Sequence, residues 1–336
     1  MSHQPRILIV KLSAIGDCLH ATPALAALRQ TFPNAHLGWA VHAHCAPVIT
    51  SNSNLDKVHR WDRLRMLEEF VVLRKSLRRE RYDIALDLQG LFKSGFVTKL
   101  SGANKRFGPS EAREFAQVFY TSKIASQKGQ HIIDVYLNRA KAVGAQWESP
   151  PPMLFPVSSR DAEYADFLLR EPGISLDRPI IVLNPSAGKP FKQWAPECFG
   201  RLADSLVSEL GAYCLVTGSP GDRPLGEAVM AHTQYKDQVF NVVGRTSLTQ
   251  LAGLLSKVSL FIGGDTGPMH MAQAVGTRVL ALFGPTDPAR LGPRDTDHRV
   301  IYRPGDDPMR SMHNITVEEV FHEAKGMVDG RASGVS

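Results

Sequence analysis

Apolar residues recur along the chain in two alternating rhythms. Short apolar or β-branched runs, suited to strands buried on both faces, alternate with stretches in which apolar positions return every three or four residues. In the first half the short runs predict strands at 6–10, 36–41, near Val58 and at 83–88. A helix over 18–30 sets Leu19, Leu25 and Leu28 on one face. A basic helix carrying Arg74, Lys75, Arg78, Arg79 and Arg81 falls between the last two of these strands. A helix with Phe92, Phe96 and Val97 follows Gln89-Gly90, and then come Arg106-Phe107-Gly108 and two further helical stretches.

The second half restarts the rhythm. Strands are predicted at 180–184, 213–217, 239–243, 258–263 and 279–283, and a helix over 194–210. The turn Gly218-Ser219-Pro220-Gly221-Asp222 leads into another helix, and 247–250 and 316–319 read as capping boxes. Prolines at 150, 151, 152 and 156 mark a stiff crossing. The expected domains are therefore 1–156 and 157–336, with the last helix free to pack back on the first. Strand–helix alternation in both halves predicts an α/β protein of two doubly wound, Rossmann-like parallel sheets. Each sheet would offer its strand C-termini to a shared cleft.

With 336 residues the chain can bury two cores, and 43% hydrophobic with 21% charged content excludes a disordered polymer. No apolar run approaches the roughly 20 residues of a membrane helix, and the N-terminus carries no signal-peptide pattern. The four cysteines, Cys18, Cys45, Cys198 and Cys214, lack CxxC spacing and are expected to be reduced thiols of a cytosolic protein. The net charge of +6 is concentrated: residues 57–82 hold nine Lys or Arg against four Asp or Glu. That stretch is either a solvated face or the site of an anionic partner. Its few aromatics argue against nucleic acid.

Neither GxGxxG after the first strand nor GxxxxGK[ST] occurs, which weakens dehydrogenase and P-loop readings. Residues 258–270, V-S-L-F-I-G-G-D-T-G-P-M-H, instead read as a buried strand running into a helix start. Asp265 or Thr266 would cap that helix, Pro268 suits its first turn, and Gly267 lets an anion approach. His270 adds a proton-bearing side chain. The junction is either a well-capped helix or an anion site. Asn184-Pro185-Ser186-Ala187-Gly188-Lys189 with Lys192 and Trp194 also falls at a strand end, as does Asp222. Lys192 is a solvated lysine or a cation for phosphate, and Asp222 is a helix cap or a ribose partner. Asp17, where the first strand hands over to a helix, is an N-cap or a general base. Together the three loops of the second half compose a nucleoside-diphosphate site. No spaced His/carboxylate cluster or DxD pair predicts a metal.

Several segments resemble the bacterial heptosyltransferase family of glycosyltransferases. They are I-L-I-V-K-L-S-A-I-G-D-C-L-H at 7–20, D-L-Q-G-L-F-K-S at 87–94, A-R-E-F-A-Q-V-F-Y at 112–120, K-Q-W at 192–194, G-G-D-T-G-P-M-H at 263–270 and F-G-P-T-D-P at 283–288. The two middle segments point to the heptosyltransferase I branch. The resemblance implies a two-domain GT-B fold and an inverting transfer, needing neither metal nor cofactor, of heptose from ADP-heptose to the Kdo region of lipid A. A related transferase acting on another donor or a later core acceptor is the alternative within the family. The resemblance further implies Asp17 as base, and donor contacts from Ser186, Lys192, Asp222, Thr246, Asp265, Thr266, Gly267 and His270. It implies acceptor contacts from Lys11, Ser13, Arg63, Arg113 and His131, and a cytoplasmic protein peripheral to the inner membrane.

Overall fold

Each half of the chain folds as a separate unit, Met1–Pro156 and Val157–Ser336, in a computed structural model that describes residues 4–62 and 66–330. The first unit runs β1 (Arg6–Val10), α1 (Ile15–His20), α2 (Thr22–Thr31), β2 (His36–His42), α3 (Pro47–Thr50), β3 (Lys57–Trp61), α4 (Met66–Arg79) and β4 (Ile84–Asp87). It continues with α5 (Phe92–Leu100), β5 (Lys105–Pro109), a 3₁₀ turn (Ala116–Phe119), β6 (Ser122–Ile124) and α6 (Ile132–Ala142). The second unit runs α7 (Ser159–Arg170), β7 (Ile180–Asn184), α8 (Pro196–Leu210), β8 (Tyr213–Val216), α9 (Arg223–Ala231), β9 (Val239–Asn241) and α10 (Leu248–Leu255). Then follow β10 (Leu260–Gly264), α11 (Gly267–Ala274), β11 (Val279–Phe283), α12 (Pro288–Leu291), β12 (Arg299–Tyr302) and α13 (Val317–Asp329).

Both sheets are parallel throughout, ordered β3-β2-β1-β4-β5-β6 and β12-β11-β10-β7-β8-β9. Counted within its own unit, each sheet has the order 3-2-1-4-5-6 of a Rossmann-like fold. The central strands carry the apolar runs because helices cover both their faces: Ile7 through Val10, and Leu260 through Ile262, are fully buried.

Four local expectations change. The helix expected over 18–30 is two helices, because Pro23 has no N–H and its ring would strike the carbonyl of Leu19, which accepts from the Thr22 hydroxyl at 2.8 Å instead. Arg106-Phe107-Gly108 lies in a strand, β5, and of the two helical stretches expected after it only one, α6, is an α-helix, with the 3₁₀ turn and β6 between. The helix expected from Trp194 begins at Pro196, and the Trp194 indole donates to the Ile315 carbonyl at 2.9 Å. At 316–319 the Thr316 hydroxyl accepts from the Glu319 N–H at 3.1 Å, while the Glu319 carboxylate pairs with Arg303. The last helix, α13, buries Val317, Val320, Ala324 and Met327 in the same core as Phe199, Leu202 and Leu206 of α8 in its own unit.

In the second unit α10 packs directly on α7. A Cβ added at Gly253 would lie 2.5 Å from the Asp161 carbonyl oxygen and 2.8 Å from its carbon. Alanine would gain up to about 1 kcal/mol of helix propensity there. Overpacking against backbone that cannot swing aside costs about 1–3 kcal/mol. Gly253→Ala is therefore expected to lower the melting temperature by a few degrees, at about 2–4 °C per kcal/mol. A melting temperature equal to or above that of the parent would show that the two helices part freely.

Candidate active site

In the second unit β7 and β10 pair side by side, with Gly263 opposite Asn184, and the chain leaves them in opposite directions. A parallel sheet binds ligands outside such a divergence. Lys192, in the 3₁₀ turn Pro190–Lys192 after β7, donates from Nζ to Oδ2 of Asp265 after β10, at 3.0 Å. The Nε2 of His270 stands 3.5 Å from Oδ1 of the same carboxylate. The Asp265 side chain is 8% exposed and that of Lys192 22%. Burial pushes the Asp265 carboxyl up, but His270 and then Lys192 outweigh it and hold it at about 2.

Asp265 therefore does not cap α11, as its place before the helix had led us to expect. Thr266 occupies the N-cap position, and its hydroxyl turns back to the Gly264 carbonyl at 3.3 Å. Among the described residues no side chain caps α11. Its first N–H groups, at Gly267 and beyond, thus have no intrahelical acceptor and point past the sheet edge. His270 is buried in the first turn of this helix, with its Nε2 turned to Asp265.

The neighbouring strand ends add polar groups. Asn184 donates from Nδ2 to the carbonyl and hydroxyl of Thr217, both at 3.2 Å, and accepts from the Ser186 hydroxyl at 3.1 Å. This buried amide stitches the β7 loop to the β8 loop. Asp222 closes the turn before α9, its Oδ2 accepting from the Ser219 N–H at 2.7 Å and the Ser219 hydroxyl at 2.6 Å, and its side chain makes no cap bond to α9 itself. Thr246 is half-buried between β9 and α10. The structure thus brings Lys192, Asp265 and His270 into contact, while Ser186, Asp222, Thr246, Thr266 and Gly267 stand at ends of neighbouring strands on the same sheet edge.

The first unit has the matching divergence between β1 and β4. Past β1, the buried Lys11 ammonium lies 3.3 Å from Oδ2 of Asp17, which also accepts from the Ala14 N–H at 3.3 Å. Burial lowers the Lys11 pKa, but Tyr136 and Asp17 outweigh it and raise it above the ordinary value. Burial itself pushes the Tyr136 phenol up to about 12. Asp17 is thus both a local cap of α1 and the partner of a buried cation, with its side chain 38% exposed.

Two residues that sequence reasoning had used only as part of a motif hold this loop. Gln89 accepts from the N–H groups of Leu12 at 2.8 Å and Ser13 at 3.2 Å. Asp87, fully buried, accepts from the N–H groups of Gln89 and Gly90 at 2.8 and 3.1 Å and from the Tyr120 hydroxyl at 2.7 Å. Burial pushes its carboxyl up against the pull of these donors. The available signal was the pair Asp87 and Gln89 in D-L-Q-G, placed directly where an apolar strand stops. Among the residues expected on the acceptor side, Lys11, Ser13 and Asp17 share this loop. Arg113 is exposed, with its N–H on the Gly90 carbonyl at 2.9 Å. His131 is a buried cap of α6, its Nδ1 accepting from the Ile133 N–H at 3.2 Å, and its ring meets that of His20, at the end of α1, edge-on at 6.0 Å. Arg63 lies outside the described residues.

Residues 70–319 match the family model described as glycosyltransferase family 9 (heptosyltransferase). Lipopolysaccharide heptosyltransferase 1 of Salmonella typhimurium is 31% identical over 304 residues, covering 85% of this chain and 90% of that protein. The lipopolysaccharide core heptosyltransferase OpsX of Haemophilus influenzae is 25% identical over 297 residues, covering 87% and 83%. The solved structure of the E. coli ADP-heptose lipopolysaccharide heptosyltransferase II superposes with a TM-score of 0.83 over 97% of this chain and 99% of that one, at 24% identity. The likeness places the fold among GT-B proteins of two Rossmann-like domains.

The depressed Asp265 pKa has a sign that can be measured. A carboxyl titrating at about 2 when folded and about 3.9 when unfolded stabilises the fold fully above the higher value. That contribution is lost as pH falls toward the lower one, and a shift of this size is worth about 2–3 kcal/mol. Asp265→Asn is expected to melt several degrees below the parent at neutral pH, with the gap closing as the pH approaches 3. A gap that stays constant across this range would mean that the pair contributes nothing through ionisation.

Proposed function

Because the chain belongs to glycosyltransferase family 9, the heptosyltransferase family, we propose that it moves L-glycero-D-manno-heptose from ADP-heptose to the Kdo region of lipid A, with inversion and without a metal. The observation that carries this reading is the Lys192–Asp265–His270 constellation beside the uncapped start of α11. A relative 31% identical is named heptosyltransferase 1, and the superposed E. coli enzyme is named for ADP-heptose.

On this reading the diphosphate of the donor meets the α11 N–H groups and Lys192. An ammonium has three donors, so the bond to Asp265 leaves two for phosphate oxygens. Asp265 aims the ammonium and His270 holds Asp265. Asp222 keeps Oδ1 for a ribose hydroxyl while Oδ2 caps the turn, and Ser186, Thr246, Thr266 and Gly267 line the nucleotide's path. The acceptor hydroxyl oxygen bonds to the anomeric carbon as the bond from that carbon to the phosphate oxygen breaks. The electron pair leaves with ADP, and the hydroxyl proton passes to Asp17. Helix N–H groups and a fixed lysine stabilise the charge developing on the leaving diphosphate, which is the work a metal does elsewhere. Lys11, 3.3 Å from Asp17, balances the charge of that carboxylate. Lys11, Ser13, Arg63, Arg113 and His131 serve the acidic acceptor, and the enzyme works peripherally at the cytoplasmic face of the inner membrane. Among the described residues no helix is long and apolar enough to cross a membrane.

Incubation with ADP-heptose and a panel of core acceptors, followed by mass spectrometry, tests the reading as a whole. Addition of one heptose to the Kdo-terminated acceptor is expected; transfer solely to an acceptor already bearing heptose would assign a later core step. Asp17→Asn is expected to reduce turnover by about 10²-fold or more, the scale of losing a general base, with ADP-heptose still bound. Near-normal turnover would leave Asp17 only its cap role. Activity is expected to survive EDTA, and Lys192→Ala to weaken ADP binding by calorimetry. Loss in EDTA that Mg²⁺ restores, or unchanged ADP affinity in the variant, would sink the metal-free account.

A further inference from the structure

The first unit carries an apolar surface that folding does not explain. Phe115 is 83% exposed and Val118 73%, and they stand three residues apart beside and within the 3₁₀ turn, on one face of it. Phe92, at the start of α5, is 47% exposed. Glu114 and Phe115 both have positive φ, 56° and 60°. The chain thus holds Phe115 outward in a conformation that costs a bulky L-residue energy, with nothing in the fold gained by its ring.

The surface is rigid. The 3₁₀ turn docks on α5 at Gly95, where an added Cβ would meet the Phe119 ring at 2.8 Å and the Ala116 carbonyl at 3.0 Å. Rings link Phe119 to Phe92 at 5.3 Å, Phe119 to Phe96 at 5.9 Å, and Phe96 to Phe70 of α4 at 5.5 Å. Leu73 and Leu77 of α4 are buried and Ser76 bonds His59 at 2.7 Å, which turns Val71, Arg74, Lys75 and Arg78 to solvent along one stripe. Lys93 and Lys99 are exposed on α5. Of the described acids nearby, Glu114 accepts from the Phe92 N–H at 3.2 Å, and Glu111 pairs with Arg139 at 2.8 Å.

We propose that this face, with Phe115, Val118 and Phe92 as its apolar points and with the exposed cations Lys93 and Lys99 of α5 and Arg74 and Lys75 of α4 on the two helices that the ring chain joins to it, is where the protein inserts shallowly into an anionic lipid bilayer. Side chains this exposed protrude, and protruding rings suit a soft medium that closes around them better than a preformed protein pocket. Aromatic rings favour the boundary between headgroups and acyl chains, and flanking cations are drawn to anionic headgroups. The face also adjoins the loops read above as acceptor-binding, since Arg113 lies two residues before Phe115 and Gln89 three before Phe92. The inference rests on the reading that the acceptor is a lipid.

The test is cosedimentation of the full chain with vesicles of equimolar phosphatidylglycerol and phosphatidylcholine, and with phosphatidylcholine alone. Binding is expected to the anionic vesicles, weaker to the neutral ones, and to fall with added salt. The double variant Phe115→Ser/Val118→Ser is expected to bind roughly tenfold less tightly or worse, the effect of withdrawing apolar groups of this size, with an unchanged circular dichroism spectrum. A second variant, Lys93→Gln/Lys99→Gln, is expected to lose anionic binding at low salt while matching the parent at high salt. Absence of binding by the parent, equal binding to both vesicle types, or parent-like binding by both variants would overturn the proposal. Heptosyl transfer to a water-soluble acceptor without acyl chains separates the two readings. Transfer without vesicle binding removes this surface and leaves the catalytic reading, whereas vesicle binding without transfer does the reverse.

Discussion

In an all-parallel sheet the loops leaving the strand C-termini collect on one edge, and the chain must diverge where the first and fourth strands lie together. That divergence is a gap which main-chain pairing does not close. In both units of this protein a side chain closes it. Gln89, after β4, accepts two N–H groups from the loop after β1, and Lys192, after β7, reaches Asp265 after β10. The candidate chemistry of each unit hangs from its clamp: Asp17 follows the residues that Gln89 holds, and α11 starts immediately past Asp265.

The two clamps differ in kind, and the difference suits different work. A neutral amide accepting two backbone N–H groups fixes a loop without adding charge, and the buried Asp87 fixes the amide's own backbone in turn. An ion pair at the sheet edge leaves a cation with spare donors at the surface. The Asp265 carboxylate is kept ionised by its partners, so the site presents a directed ammonium together with uncapped helix N–H groups. Such a site is arranged before any anion arrives, which is the condition for electrostatic stabilisation of a leaving group. Lys11 follows the same logic inside the first unit, where Tyr136 and then the Asp17 carboxylate, 3.3 Å away, sustain a buried cation.

The outer face of the first unit shows how a missing side chain governs what is displayed. Gly95 lets the 3₁₀ turn sit directly on α5, and that docking sets Phe115 and Val118 outward. Packing beneath and exposure above are two consequences of one close approach.

The fold class was legible because strands buried on both faces carry continuous apolar runs, as β1 does after Arg6, β7 up to Asn184, and β10 and β11 do. The strand-end positions of Lys192, Asp222 and Asp265 followed from the same runs. The strands β5, β6 and β12, at or next to a sheet edge, were not legible, since K-R-F-G-P and S-K-I carry no continuous apolar run and R-V-I-Y only a short one. They are strands because a distant neighbour offers them hydrogen bonds, as the Asp83 carbonyl does the Lys105 N–H at 3.2 Å. The sequence by itself determined the alternation of strands and helices and which loops end on the working edge, because burial periodicity is written residue by residue. Tertiary structure alone decided which partner each polar side chain takes: Asp265 to Lys192 and His270 instead of the helix start, Gln89 to Leu12 and Ser13, His131 to its own helix. Each of these groups has several acceptable partners of equal chemistry, and only the distances set by the folded sheet select among them.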